Sequence, residues 1–293
     1  MSRPNLHFMD QVGSQPLIDL GLTTTGQPVD LEAAKEFMQA TLEKIEPVEL
    51  GAIEDELAEK SHRFQALLNP SALEGLSNEQ LGAILHTVFA TRRRSKEILA
   101  AAGPDLLRIS IQELLYGDSP VDMRFQRFVD GLGGSFDDVR QLRPRKAADS
   151  QAKASAEAAA LTESTFCDLG SELLHFAMPK EYWLWTRWIW DPVAGTGAMP
   201  LVTMEEVDLY GDRAGETYLK LGVATAFVRS TSEAAGLSGF RTGQFGIDVF
   251  LVCVYAVYMY TTLRMRMTQE FNQVVPGLPE LVRRLLGVWK MEI

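Results

Sequence analysis

Apolar residues recur at three- and four-residue spacing along most of this chain, and its first half contains no alternating stretch that would make a strand. Asp30 can cap a helix running to about Ile45, and Pro47 suits the first turn of the next. In that second helix Ile53, Leu57, Phe64 and Leu68 share a face, and Asn69-Pro70 stops it. Ser77 with Gln80 forms a capping box, predicting a helix to about Ala102 with Gly103-Pro104 as its end. Asp105 to Tyr116 reads as a shorter helix closed by Gly117. Ser119-Pro120 opens another, which Gly131, Gly133 and Gly134 are expected to close.

The pattern then lapses. From Pro144 to Leu161 the chain is rich in alanine and holds no large apolar residue before Leu161, so it favours helix but offers no stripe to dock. We read 144–161 as a linker or surface helix. Helical signals resume over about Thr162–Ala177, Arg213–Ala235, Phe245–Gln273 and Pro279–Leu286, and Thr203 with Glu206 predicts a second capping box. Residues 1–29, with Gly13, Pro16, Gly21, Gly26 and Pro28 and no period, read as an irregular arm. The expected fold is all-α: a multi-helix globular protein of two packed helical subdomains, 30–143 and 162–293, with a long buried C-terminal helix.

Composition adjusts this picture in three ways. The 293 residues carry a net charge of −11, concentrated in 1–76, where 13 acidic residues face 5 basic ones. Such a balance disfavours non-specific nucleic-acid binding, which needs Lys and Arg to neutralise phosphates. Val249–Leu263 is uninterrupted by charge for 15 residues, short of the roughly 20 that span a bilayer, so it reads as a core helix and not a membrane insertion. The polar N-terminus carries no secretory leader, and the two cysteines, Cys167 and Cys253, sit in apolar surroundings that suit buried reduced thiols. A cytoplasmic protein is the expectation.

Candidate chemistry is sparse. Two Glu-x-x-His pairs, Glu59/His62 and Glu172/His175, have the spacing that builds carboxylate-bridged di-iron sites in helix bundles. With Leu57 at 0° and about 100° per residue, the apolar positions fall within about 40°, whereas Glu59 lies at about 200° and His62 at about 140°. Measured from Leu173, His175 lies at about 200°. Both pairs are therefore expected on solvated faces, and neither a metal nor another cofactor is implied. Cys167 and His175 are about 12 Å apart along one helix, too far to act as a nucleophilic pair. Arg92-Arg93-Arg94-Ser95-Lys96 reads as a solvated basic stretch near a helix end, able to meet an acidic partner. Gly131-Leu132-Gly133-Gly134 resembles, over four residues, the turn of helix-hairpin-helix DNA-binding modules. Arg140, Arg143, Arg145 and Lys146 follow it as possible phosphate contacts. No phosphate-binding loop, dinucleotide fingerprint, zinc-protease motif or nucleophile elbow occurs.

The most unusual stretch is Tyr182-Trp183-Leu184-Trp185-Thr186-Arg187-Trp188-Ile189-Trp190, which holds four of the five tryptophans. As a helix it would pair Trp183 with Trp190 on one face and Trp185 with Trp188 on another. As an extended segment it would put Trp183 and Trp185 together. Tyr182, Trp183, Trp185, Arg187, Trp188 and Trp190 are the candidate binding residues. The expected function is that of a binding or accessory protein working through protein–protein contacts, leaning away from an enzyme. The alternatives are an enzyme or small-molecule binder with its pocket around Trp183–Trp190, and a nucleic-acid-processing protein using Gly131–Lys146.

Overall fold

The computed structural model describes residues 28–141, 151–234, 243–266 and 276–290. Among these residues the chain is α-helical, with no strand beyond two isolated bridges, Val29 with Thr203 and Asp191 with Thr196. Helix boundaries follow local chemistry closely in the first hundred residues. The Asp30 carboxylate accepts the Ala33 N–H at 3.0 Å and opens α1, Leu31–Leu42. Pro47 opens α2, Pro47–Leu68, and Asn69 both ends it and caps the single turn α3, Pro70–Leu73. Ser77 and Gln80 exchange both hydrogen bonds of a capping box at the start of α4, Asn78–Thr87.

α4 stops fifteen residues before the expected Ala102. Val88 turns extended, with ψ at 124°, and a 3-10 turn over Arg92–Arg94 intervenes before α5, Ser95–Ala102. The break is stable because side chains supply what the helix would have supplied. The Thr91 hydroxyl donates to Leu85 O at 2.5 Å and Arg92 Nε donates to His86 O at 3.0 Å. Val88 and Thr91 are then fully buried in the bend. Gly103, at φ 77°, makes the next corner into α6, Pro104–Tyr116.

The glycines of Gly131-Leu132-Gly133-Gly134 do not end a helix, correcting the expectation above. α7 runs Val121–Gln141 straight through them. A methyl group at Gly131, Gly133 or Gly134 would meet nothing within 4 Å, so no turn or close approach requires glycine there. Their cost of about 1 kcal/mol each is carried by the opposite face, where Phe125, Phe128, Val129 and Leu132 are buried. With no turn, the likeness to a helix-hairpin-helix module fails. Arg140 is helical, while Arg143, Arg145 and Lys146 lie outside the described residues.

α8 spans Gln151–Ala177, so the alanine-rich stretch from Gln151 onward is helix continuous with the predicted one; 142–150 lie outside the described residues. Every residue from Thr165 to Phe176 is buried. α7, α2 and α6 pack around α8, and α9, Ala214–Ala234, packs on α7. Gly170 lets α7 pack closely on α8: a β-carbon there would stand 3.0 Å from the Phe128 ring and 3.3 Å from Phe125. α10, Gly246–Arg266, is buried from Ile247 to Val257 apart from the half-buried Tyr255 and lies against α1, α2 and the closing helix α11, Leu278–Leu285. One continuous apolar core runs from Val29 to Val288, drawing on helices from both 30–143 and 162–293. No described helix is long and apolar enough to cross a membrane. The second predicted capping box is not formed. Residues 203–206 are non-helical, and the Thr203 hydroxyl donates back to Met199 O at 2.9 Å.

Candidate functional site

Because α8 is enclosed from Thr165 to Phe176, its polar residues there must find partners inside the protein. Asp168, Ser171, Glu172 and His175 recur at three- and four-residue spacing and form one polar stripe. Beyond a turn at Met178–Glu181, the tryptophan segment runs back along this stripe in the opposite direction. Its backbone is pinned at three points. Tyr182 O lies 2.8 Å from His175 Nδ1, Trp185 N donates to Ser171 Oγ at 2.5 Å, and Arg187 N donates to Asp168 Oδ1 at 2.9 Å.

The segment is therefore neither helix nor paired strand over Tyr182–Thr186. Trp183 and Trp185 fall on one side, the two-residue repeat of an extended chain, and both meet Tyr218 of α9. Trp183 stacks on that ring at 4.7 Å and its indole N–H donates to Tyr218 O at 2.7 Å, while Tyr218 Oη donates to Trp183 O at 3.1 Å. Phe125 completes the stack at 4.4 Å from Tyr218 and 5.7 Å from Trp185. From Thr186 the chain coils: Ile189 N and Trp190 N both donate to Thr186 O, and Asp191 closes a turn by accepting from Val193 N and Ala194 N. Ala198 N and Met199 N then donate back to Trp188 O and Ile189 O.

All four tryptophans are buried, at 3–5% exposure. Of the residues singled out in the sequence, only Tyr182 and Arg187 reach the surface in part. Trp185, Arg187 and Trp190 line a cleft of about 130 Å³ together with Asp168, Cys167 and Arg213. Tyr182 and Trp183 line a separate cleft of about 430 Å³ with Arg124, Asp118, Asp122 and Glu181. Trp188 borders neither.

The larger cleft has its guanidinium already engaged. Arg124 donates from Nε to Ser119 O, from Nη1 to Leu114 O and from Nη2 to Tyr182 Oη. The smaller one does not. Arg187 reaches Asp168 Oδ2 through Nε alone, at 3.3 Å, and its side chain is 33% exposed. The Trp190 indole N–H, buried beside the cleft, has no hydrogen-bond partner among the described residues. Burial drives the Asp168 carboxyl up to about 7 against the pull of Arg187, with Glu172 adding to the rise. Burial likewise pushes the Cys167 thiol up, away from the thiolate form.

A second polar cluster lies deeper and corrects the expectation that both Glu-x-x-His pairs face solvent. Glu59 and His62 are exposed. Glu172 and His175 are buried, at 2% and 1% exposure. Glu172 accepts from Lys60 Nζ of α2 at 2.6 Å, and the same ammonium donates to Leu286 O at 2.8 Å and sits 4.2 Å from the Phe176 ring. His175 Nε2 faces Asp248 Oδ2 of α10 at 3.0 Å. Since Tyr182 O can only accept, it is the Nδ1–H of His175 that donates to it. Gly287, at φ 72°, lets the chain after α11 pass over Lys60, where a β-carbon would crowd Thr87 O and the ammonium. The cluster ties α2, α8, α10 and the end of α11 together and is closed to solvent. Among the described residues no group of three or more His, Cys, Asp or Glu is placed to hold a metal ion.

Lys60, Asp168, Ser171, Tyr218 and Asp248 were not singled out in the sequence. A signal existed for two of them. Lys60 lies three residues after Leu57 and four before Phe64, inside the apolar stripe, and Asp168 shares a face with His175. No protein-family model matches the chain, and no curated protein or solved structure matches it either.

Proposed function

We propose that this is a cytoplasmic binding protein whose ligand is a compact molecule seated in the cleft between Trp185, Arg187 and Trp190. The observation that carries this reading is the state of Arg187. Its guanidinium is held at the cleft by one long Nε contact, while Nη1 and Nη2 meet no acceptor among the described residues. Convergent polar groups on an apolar, aromatic-walled concavity are the usual form of a small-molecule site. The opposite cleft lacks an uncommitted donor of this kind, and the interior pairs around Lys60 and His175 have no route to a substrate.

A second reading, an accessory protein that docks a protein partner, draws on the rim. With the tryptophans inside, a partner would meet Val193 and Tyr210, exposed at 74% and 52% beside Trp190. The two readings separate by one experiment. Tryptophan emission and thermal shift are followed against a panel of small acids, amines and amides, for wild type and Arg187→Ala. A response lost in Arg187→Ala supports the cleft. Silence across the panel, together with a protein recovered from native extract and released by Val193→Ser/Tyr210→Ser, would transfer the function to the rim.

A further inference from the structure

Resting on the cleft reading above, we infer that the ligand is a small carboxylate, which takes the Arg187 guanidinium and leaves the buried Asp168 carboxyl holding a proton. Arginine binds carboxylates best through its fork of two parallel N–H groups. Asp168 does not use that fork. Its Oδ2 touches Nε at 3.3 Å, and its Oδ1 is occupied by the Arg187 backbone N–H at 2.9 Å. The outer edge of the guanidinium, toward solvent, is thus open to a second carboxylate, with Trp185, Trp190, Pro192 and Val193 as apolar walls for its carbon body.

Charge balance decides when that edge attracts an anion. While Asp168 is ionised, it neutralises Arg187 at close range. Once Asp168 is protonated, Arg187 no longer has its ion-pair partner, and Oδ1 can still accept the backbone N–H. The exchange balances: one carboxylate arrives, one proton is taken up at Asp168, and the net charge within the cleft is unchanged. The surroundings push Asp168 toward holding that proton. Burial comes first, and Glu172 on the same helix adds to it against the pull of Arg187, while Glu163 and Cys167 of that helix also line the cleft. Asp212 and Arg213, just before α9, oppose each other at the rim. Burial places the Asp168 carboxyl at about 7, so uptake falls in the neutral range. A cationic ligand would show the opposite dependence, since it would need Asp168 ionised.

The test uses the full chain and three probes of one shape: benzoate, benzamide and benzylamine. Binding is followed by tryptophan emission and by calorimetry from pH 5.5 to 8.5. Benzoate should bind in preference to both others, with affinity level below pH 7 and falling up to about tenfold per pH unit above it. Calorimetry of wild type at pH 7.5, in two buffers of different ionisation enthalpy, should show uptake of most of one proton. Asp168→Asn should bind benzoate with the pH dependence removed, and Arg187→Gln should lose binding. Should Asp168→Asn not fold, the proton count on wild type decides alone. Preference for benzylamine, or benzoate binding with no proton uptake, would overturn the carboxylate inference while leaving the cleft reading intact. No response to any probe, with no shift of the Trp185 and Trp190 indole resonances, would overturn both.

Discussion

Replacing Lys60 with methionine keeps the four-atom stem that packs against Phe64 and Phe176 and removes only the ammonium. Glu172, 2% exposed, then loses the ammonium that it contacts at 2.6 Å, and Leu286 O loses a donor. In the wild-type protein burial pushes Lys60 down and Glu172 up, each opposed by the other's charge. Removing one member of a buried pair typically costs about 3–5 kcal/mol, whereas replacing both by apolar groups is close to neutral. We therefore expect Lys60→Met to lose about 3–5 kcal/mol at pH 7, a fall in melting temperature of roughly 6–20 °C for a chain of this size. Adding Glu172→Leu should restore all but about 1 kcal/mol, the share of the unpaired Leu286 carbonyl. The pH dependence has a definite sign. Without Lys60 the folded pKa of Glu172 rises further above its unfolded value of about 4.3, so its contribution is complete below that value and is lost as pH rises toward the folded one. The damage should be least near pH 4.5 and grow by up to about 1.4 kcal/mol per pH unit above it. Urea unfolding of wild type, Lys60→Met and the double variant at pH 4.5, 6 and 7.5 measures each quantity. A single variant within about 0.5 kcal/mol of wild type at pH 7.5, with no change across that range, would refute the reasoning.

Two further outcomes test particular contacts. Gly222→Ala would drive a methyl group into the Trp183 ring, and overpacking of that kind should cost about 1–3 kcal/mol and shift tryptophan emission. Gly131→Ala, with open space around it in mid-helix, should instead stabilise by about 1 kcal/mol. A destabilised Gly131→Ala would mean that α7 ends at the glycines after all. Ser171→Ala removes the acceptor of the buried Trp185 N–H and should lower stability by about 1–3 kcal/mol, read by chemical denaturation and by faster amide exchange at Trp185.

The parts of this protein legible in its sequence are those that local chemistry decides. Asp30, Pro47, Asn69, the Ser77/Gln80 box and Gly103-Pro104 each fix a helix end within a few residues: Asp30, Asn69 and Ser77 satisfy orphan N–H groups with their side chains, Pro47 and Pro104 have no N–H to satisfy, and Gly103 takes the positive φ of the corner. The all-α fold follows from them and from the apolar spacing. Where a local signal competed with packing, packing won. Gly131, Gly133 and Gly134 sit inside a helix because the opposite face of α7 docks on α8, and the Ser77 helix breaks at Val88 because Thr91 and Arg92 fill the gap.

The aromatic segment and its setting depended wholly on tertiary structure. A helical wheel assigns inside and outside on the premise that a helix has a wet side, which held for Glu59 and His62. It failed for Glu172 and His175, because α8 has no wet side between Thr165 and Phe176. Its polar stripe meets the backbone of a segment that returns along it, and its deeper members meet Lys60 and Asp248 from helices 112 and 73 residues away. Periodicity records which residues share a face. What covers that face is settled only when the rest of the chain folds over it.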